Sequence, residues 1–151
     1  EIPQDAVALL ETNLDDVQGV VLGYVQERLF NQGALDVWFT PIYMKKNRPG
    51  VLLSVLVPAI RQQEFVQTIF RETPTLGLRV KDVNRQIAHR ETVEFESQLG
   101  HLRVKVKRLE NKAIGVAPEY EDCRRLALEQ GIPLQEVYER VLSEARDRLM
   151  Q

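Results

Sequence analysis

The sequence contains a single cysteine, Cys123, and only two histidines, His89 and His101. One cysteine excludes an internal disulfide and fits a reducing compartment, so we expect a cytoplasmic protein. Cys123 lies in a helical pattern without a histidine nearby, which favours a packing role over a reactive thiol. Two scattered histidines also exclude a histidine-rich metal site.

Long apolar runs are missing as well. No stretch approaches the roughly 20 apolar residues that a membrane helix requires, so the sequence predicts no membrane contact. Residues 1–4 lack the basic and apolar segments of a secretory signal. Since the chain begins without methionine and its first apolar strand follows almost at once, we expect a domain of a longer protein.

Neither sign of charge dominates: 20 basic and 22 acidic residues give a net charge of -2. This balance argues against a broad nucleic-acid surface. The chain has no phosphate-binding Walker loop, no dinucleotide glycine fingerprint and no Ser-His-Asp or Cys-His set. It therefore predicts no covalent catalysis by a side chain, and the catalytic residues stay unknown.

Hydrophobic periodicity indicates the order of elements in the first half of the chain. Apolar or alternating segments predict strands at residues 6–11, 35–44, 51–57 and 76–83, and helical spacing predicts helices at 16–32 and 61–73. Strand, helix, strand, strand, helix, strand is the order of a ferredoxin-like βαββαβ unit.

The second half has a different pattern. Strict alternation predicts strands at residues 91–96 and 101–108, with a third short strand at 114–116, and Pro118 and Pro133 open two helices. We expect an α+β fold with a ferredoxin-like lobe at 1–85. A lobe of small antiparallel sheet and two helices follows at 86–151, and the two pack as one compact unit.

Three charged loops of the first lobe should meet. If both crossovers are right-handed, residues 13–16, 45–50 and 71–77 share one end of the sheet. We call these segments the three-loop rim.

The first segment of the rim is rich in oxygen donors. The acidic and amide side chains there are Glu11, Asn13, Asp15 and Asp16. Carboxylates and carbonyl oxygens suit Mg²⁺ or Mn²⁺. The alternative is helix capping, in which Asn13 or Asp15 accepts free N–H groups and Asp16 complements the helix dipole.

The second segment carries three cations. Lys45, Lys46 and Arg48, with Asn47, fit a polyphosphate, and the alternative is a solvated hairpin tip. Arg71 and Thr73 lie in the third segment. Because a capping loop has no reason to lie opposite three cations, convergence favours an anion bridged to a metal.

A basic stripe, Arg103, Lys105 and Lys107, follows one face of a strand in the second lobe. We predict that Glu94 and Glu96 on the partner strand pair with it across the ladder. Nearby acids at 119, 121 and 122 fit either a metal site or the first turn of a helix.

Four stretches also resemble one known family. They are E-T-N-L-D-D, G-A-L-D-V-W-F-T-P-I-Y-M-K-K-N-R-P-G, F-R-E-T-P-T-L-G and A-P-E-Y-E-D-C. In this order they are similar to the C-terminal domain of the LarC nickel-insertion family, over nearly the whole chain.

The resemblance implies a CTP-dependent cyclometallase, a lyase that inserts nickel into pyridinium bisthiocarboxylic acid mononucleotide and so makes the nickel-pincer cofactor of lactate racemase. It implies CTP with Mn or Mg, a cytidylylated intermediate, and release of CMP and diphosphate. Asp15 and Asp16 would bind the metal, and Lys45, Lys46, Arg48 and Arg71 the triphosphate. The family's N-terminal domain would be a partner.

A second hypothesis is a regulatory or oligomerisation module that binds a nucleotide or another anion without catalysis, since ferredoxin-like folds have many functions. Under both hypotheses the last helix and an uncovered sheet edge predict a homo-oligomer. RNA binding is disfavoured because the strands lack a clear exposed aromatic pair.

Overall fold

A computed structural model describes residues 4–150 of the chain. Its strands are β1 Gln4–Leu14, β2 Asp36–Met44, β3 Arg48–Pro58, β4 Arg79–Gln86, β5 His89–Ser97, β6 Gly100–Leu109 and β7 Lys112–Pro118. Its α-helices are α1 Gly19–Gln32, α2 Gln62–Glu72, α3 Tyr120–Gln130 and α4 Leu134–Leu149. None of these helices has the length and apolar character that crossing a membrane requires.

The chain forms two compact units, of which the first is Gln4–Arg85. Its four strands lie in the order β2-β3-β1-β4, the order of a ferredoxin-like sheet. Side chains alternate along β1, so that Leu10, Thr12 and Leu14 are buried while Asn13 is exposed. The buried set packs with residues of β3 and both helices, such as Phe65 of α2.

The second unit comprises the residues from Gln86 on. Three antiparallel strands lie in the order β5-β6-β7. The buried side chains of β6 pack with those of α3 and α4 in a separate core that includes Leu102, Val104, Leu126, Val137 and Val141. Cys123 is fully buried in this core, and burial raises the pKa of its thiol, which agrees with a packing role.

The predicted α+β fold is confirmed, with differences at the ends of elements. β1 continues to Leu14, three residues beyond its predicted end, and α1 begins at Gly19, three residues after its predicted start. Pro118 ends β7 and does not open a helix, because Glu119 is the N-cap of α3. The first shift has consequences for the acidic loop, described below.

Gly50 allows the β2–β3 hairpin to lie close to the end of β1. A Cβ atom at this position would lie 2.7 Å from the carbonyl oxygen of Leu14 and 2.8 Å from the Sδ atom of Met44. Leu14 also pairs with Val51 in the β1–β3 ladder. Only glycine fits here without movement of the backbone.

We therefore expect Gly50→Ala to lower the free energy of unfolding by about 1–3 kcal/mol, the usual cost of overpacking. Gly23→Ala is the matched control, because its Cβ would meet nothing within 4 Å in the interior of α1. Alanine should stabilise that helix by about 0.5–1 kcal/mol. Urea unfolding of both variants measures the two effects, and equal stabilities would contradict the close approach at Gly50.

Candidate functional site

The acidic loop between β1 and α1 does not cap the helix. The N-cap of α1 is Gln18, no side chain makes a capping hydrogen bond, and the first turn contains no acidic residue. The capping interpretation of Asn13, Asp15 and Asp16 was therefore wrong. The physical reason is that β1 runs on to Leu14, which leaves both aspartates in the connection before the helix.

Asp15 faces the basic hairpin. Its Oδ2 atom lies 3.8 Å from Nη1 of Arg48, and 42% of its side chain is exposed. Asp15, Asp16 and Arg48 line a hollow of about 460 Å³. An ion pair this long and exposed adds little stability, and the two aspartates keep oxygen atoms open to solvent.

Left-handed backbone is concentrated at these loops. Asp16, Lys46 and Asn47 have φ values of 56°, 59° and 58°. Among the described residues, the other non-glycine positions of this kind are Glu110 and Asn111, in the β6–β7 hairpin. Lys46 and Asn47 lie in the tight β2–β3 turn, and such hairpin turns require positive φ values, as at Glu110 and Asn111. Asp and Asn tolerate this conformation better than lysine does.

A pair of threonines ties the third loop to β1. The Oγ1 atoms of Thr12 and Thr75 are 2.7 Å apart, so that one hydroxyl can donate to the other, and the carbonyl oxygen of Gly77 lies within hydrogen-bond distance of both, at 3.0 and 2.8 Å. Thr12 is 3% exposed. Residues 13–16 line a second hollow of about 280 Å³ together with Pro74 and Thr75. Sequence reasoning missed this bridge, although a threonine at a core position of β1 was a signal for a buried hydrogen bond.

Two of the predicted metal ligands have other partners. Oε1 of Glu11 lies 2.7 Å from Nζ of Lys81, and Oδ1 of Asn13 accepts a hydrogen bond of 2.9 Å from Arg79. The described residues contain no cluster of three Asp, Glu, His or Cys side chains that could hold a metal. The oxygen atoms of Asp15 and Asp16 fit a cation that takes its other ligands from phosphate and water.

The predicted phosphate-binding residues differ in their surroundings. Lys45, Lys46 and Arg71 are exposed, and among the described residues none pairs with a carboxylate. Asn47 is exposed in the same turn. Thr73 is buried, and its hydroxyl donates to the carbonyl oxygen of Ile69 at 2.7 Å, at the C-terminus of α2.

In the second unit, the predicted pairing of the basic stripe is wrong. Glu94 and Glu96 both bind the ring nitrogens of His101. Asp122 binds Arg103 through two hydrogen bonds of 3.0 and 3.2 Å, and Glu119 lies 3.6 Å from Lys105. Two of the three acids at the start of α3, Glu119 and Asp122, therefore pair with the stripe. A helix packed beside the strand supplies closer carboxylates than the ladder does.

Comparisons with known proteins agree with one another. A family described as nickel insertion protein matches residues 1–138. A putative nickel insertion protein of Dictyoglomus thermophilum is 47% identical over 129 residues, which cover 85% of this chain and 33% of that protein. The pyridinium-3,5-bisthiocarboxylic acid mononucleotide nickel insertion protein of Acetivibrio thermocellus is 45% identical over 137 residues, 91% of this chain and 33% of that protein.

Solved structures extend this likeness to the fold. LarC2, the C-terminal domain of a cyclometallase involved in the synthesis of the NPN cofactor of lactate racemase, has a TM-score of 0.88 at 39% identity. The match covers 93% of this chain and 97% of that one. A protein of Methanopyrus kandleri AV19 has a TM-score of 0.66 at 28% identity, over 97% and 92% of the two chains. The chain spans about a third of the length of the curated relatives it matches.

The carboxylates of Glu96 and Glu94 raise the pKa of His101 above its ordinary value of 6.5. Because the pKa is higher in the folded state, protonated His101 adds to the free energy of unfolding. This contribution is fully present below pH 6.5 and is lost as the pH rises through the folded-state pKa. The free energy of unfolding should therefore fall over that interval, and His101→Gln should remove this part of the pH dependence. An NMR titration of the ring that gave a pKa at or below 6.5 would contradict the pairing.

Proposed function

Because the chain belongs to the nickel insertion protein family, we propose that it is the domain that binds CTP and a divalent metal in such a protein. The protein as a whole would insert nickel into pyridinium-3,5-bisthiocarboxylic acid mononucleotide, the compound named in its relatives. The observation that carries the proposal is the pair Asp15 and Asp16, which the helix does not use, beside the cationic hairpin.

Asp15 and Asp16 would be the protein ligands of the metal. Mg²⁺ and Mn²⁺ are hard ions, and in nucleotide sites they take one or two protein carboxylates with phosphate oxygens and water. Asp15 and Asp16 line one hollow and supply this number of carboxylates. A metal bound there would neutralise charge on the triphosphate. Glu11 and Asn13, already bound to Lys81 and Arg79, would position β1 and would not act as ligands.

The basic side chains of the three-loop rim would bind the triphosphate. Lys45, Lys46 and Arg71 lack carboxylate partners in the described part of the chain, so no ion pair has to break before a phosphate binds. Arg48 can exchange its long contact with Asp15 for a phosphate oxygen, with a guanidinium geometry that suits two hydrogen bonds. Asn47 adds an amide donor in the same turn.

This arrangement suits transfer of a nucleotidyl group. The phosphate of the substrate would attack the α-phosphorus of CTP and displace diphosphate, which leaves a cytidylylated substrate and later yields CMP. Such a displacement depends on positioning and charge neutralisation, and it requires no protein nucleophile. The residues of the three-loop rim supply both requirements. Nickel enters as a substrate, and no residue of this chain is assigned to it.

Self-association is the second candidate function, favoured by apolar side chains on the outer face of α1. Val20 is 77% exposed and Tyr24, one helical turn later, is 53% exposed. An apolar stripe of this kind is typical of a contact between protein chains. We expect light scattering to give a mass above the 17.4 kDa of one chain, and this mass should fall when Val20 is changed to Asp. A monomer at high protein concentration would exclude this function.

The binding proposal is tested by isothermal titration of the chain with CTP, with and without Mn²⁺. We expect saturable binding that depends on the metal. Asp16→Asn should weaken it by about tenfold or more, since hydrogen bonds and ion contacts to charged groups contribute about 1.5–3 kcal/mol. Asparagine tolerates the left-handed backbone of Asp16, so the loop should keep its shape.

Lys46→Gly separates binding from stability. Glycine removes the Cβ strain at a φ of 59°, so the variant should unfold at equal or higher urea concentration while it loses affinity for CTP. Asp82→Asn and Lys112→Gln are matched charge controls at exposed positions outside the three-loop rim. The proposal fails if no heat appears at millimolar CTP, or if the controls lose as much affinity as the two test variants.

A further inference from the structure

The second unit contains a shallow hollow that the sites described above do not use. It has a volume of about 380 Å³, and its lining is almost wholly apolar. We call it the basic hollow, because Arg90, Lys105 and Lys107 contribute to its lining beside Gly115 and Ala117. A volume near this value is common for sites that bind small molecules.

The register of the sheet explains its shape. Arg90 of β5, Lys107 of β6 and Gly115 of β7 form one row across the strands, and Lys105 and Ala117 lie in the next row. Residues in a row share a face of the sheet, so long basic side chains stand beside two positions with almost no side chain. Because little polar surface lines the hollow, the basic residues contribute their aliphatic stems and their charged ends lie outside it.

The charges around the basic hollow are not balanced. Within the described residues, Arg90 and Lys107 form no ion pair, and the contact of Lys105 with Glu119 is long, at 3.6 Å. The neighbouring carboxylates have other partners: Glu91 binds Arg108, Glu94 and Glu96 bind His101, and Asp122 binds Arg103. An apolar floor beside two unpaired cations and the weakly paired Lys105 is complementary to a flat ligand with negative groups on its edge.

We propose that the basic hollow binds a flat aromatic ring that carries acidic groups. The ring lies on Gly115 and Ala117, and Lys105, Lys107 and Arg90 bind its carboxylate, thiocarboxylate or phosphate groups. The identity of the natural ligand rests on the proposed function: a pyridinium ring with two thiocarboxylic acid groups and a phosphate belongs to this class.

The probe is pyridine-3,5-dicarboxylate, titrated into the isotopically labelled 151-residue chain and followed by amide NMR shifts. We expect saturable shifts at Gly115, Ala117 and Lys107, with nicotinamide, which has the ring without the negative charge, at least about threefold weaker. Shifts that do not saturate by about 10 mM, or that lie elsewhere in the chain, would overturn the proposal.

Two variants separate charge from shape. Lys107→Gln removes an unpaired cation, and Ala117→Leu fills the floor without changing charge; each should weaken the probe at least about threefold. Lys112→Gln, on the same strand pair but outside the lining, is the matched control and should leave affinity unchanged. Equal affinities in all three variants would contradict the assignment. Amide shifts also confirm that each variant is folded.

The two proposals can be tested independently of each other. CTP with Mg²⁺, which is diamagnetic, should shift the amides of Asp15, Asp16 and Gly50, whereas the dicarboxylate should shift those of Gly115 and Ala117. If CTP does not bind but the dicarboxylate does, the proposed function is wrong and the basic hollow stands. If CTP binds and the dicarboxylate does not, the basic hollow is wrong and the proposed function stands.

Discussion

The antiparallel pairing of β1 with β3 is the constraint on which the first unit depends. It joins Leu14 to Val51 at one end of the ladder, and Gly50 lets the hairpin backbone approach the Leu14 carbonyl. The residues that follow β1 are thereby held beside the residues that precede β3. The acidic segment after β1 and the basic segment before β3 are therefore close together because backbone pairing requires it, whatever the attraction between their charges.

The bridge from Thr12 to Thr75 adds the third loop. Its cost is low because each hydroxyl has a hydrogen-bond partner, either the other hydroxyl or the carbonyl oxygen of Gly77, so that neither hydroxyl is buried without a partner. Since Thr12 projects to the helix side of β1 and Asn13 to the other side, one short stretch of strand contacts the third loop through Thr75 and β4 through Arg79. The carboxylates that come next are left at the edge, where a ligand can reach them.

Much of this arrangement could be predicted from the sequence. Alternation in the strands and right-handed crossovers were enough for the sheet and for the meeting of the acidic loop with Arg48 and with Thr75, and the resemblance to the LarC family is confirmed by the matches. Two predictions about pairing failed. Capping depends on which residue ends the strand, a shift of three residues that periodicity does not resolve. The pairing of Arg103 depends on Asp122, which only the packing of α3 against β6 brings near.

The two units use charge in opposite ways. In the second, most acids near the sheet are already paired, so that Glu94, Glu96 and Asp122 add to stability and leave a local excess of positive charge. In the first, Asp15 has only a long contact to Arg48, and Lys46 keeps a left-handed backbone that glycine would adopt more easily. The hairpin turn itself requires this backbone, as the β6–β7 hairpin does at Glu110 and Asn111, and a lysine adopts it at a cost in stability that glycine would not have. Under the proposed function a phosphate group would offset that cost, because binding energy released only in the complex can offset strain that the free protein carries.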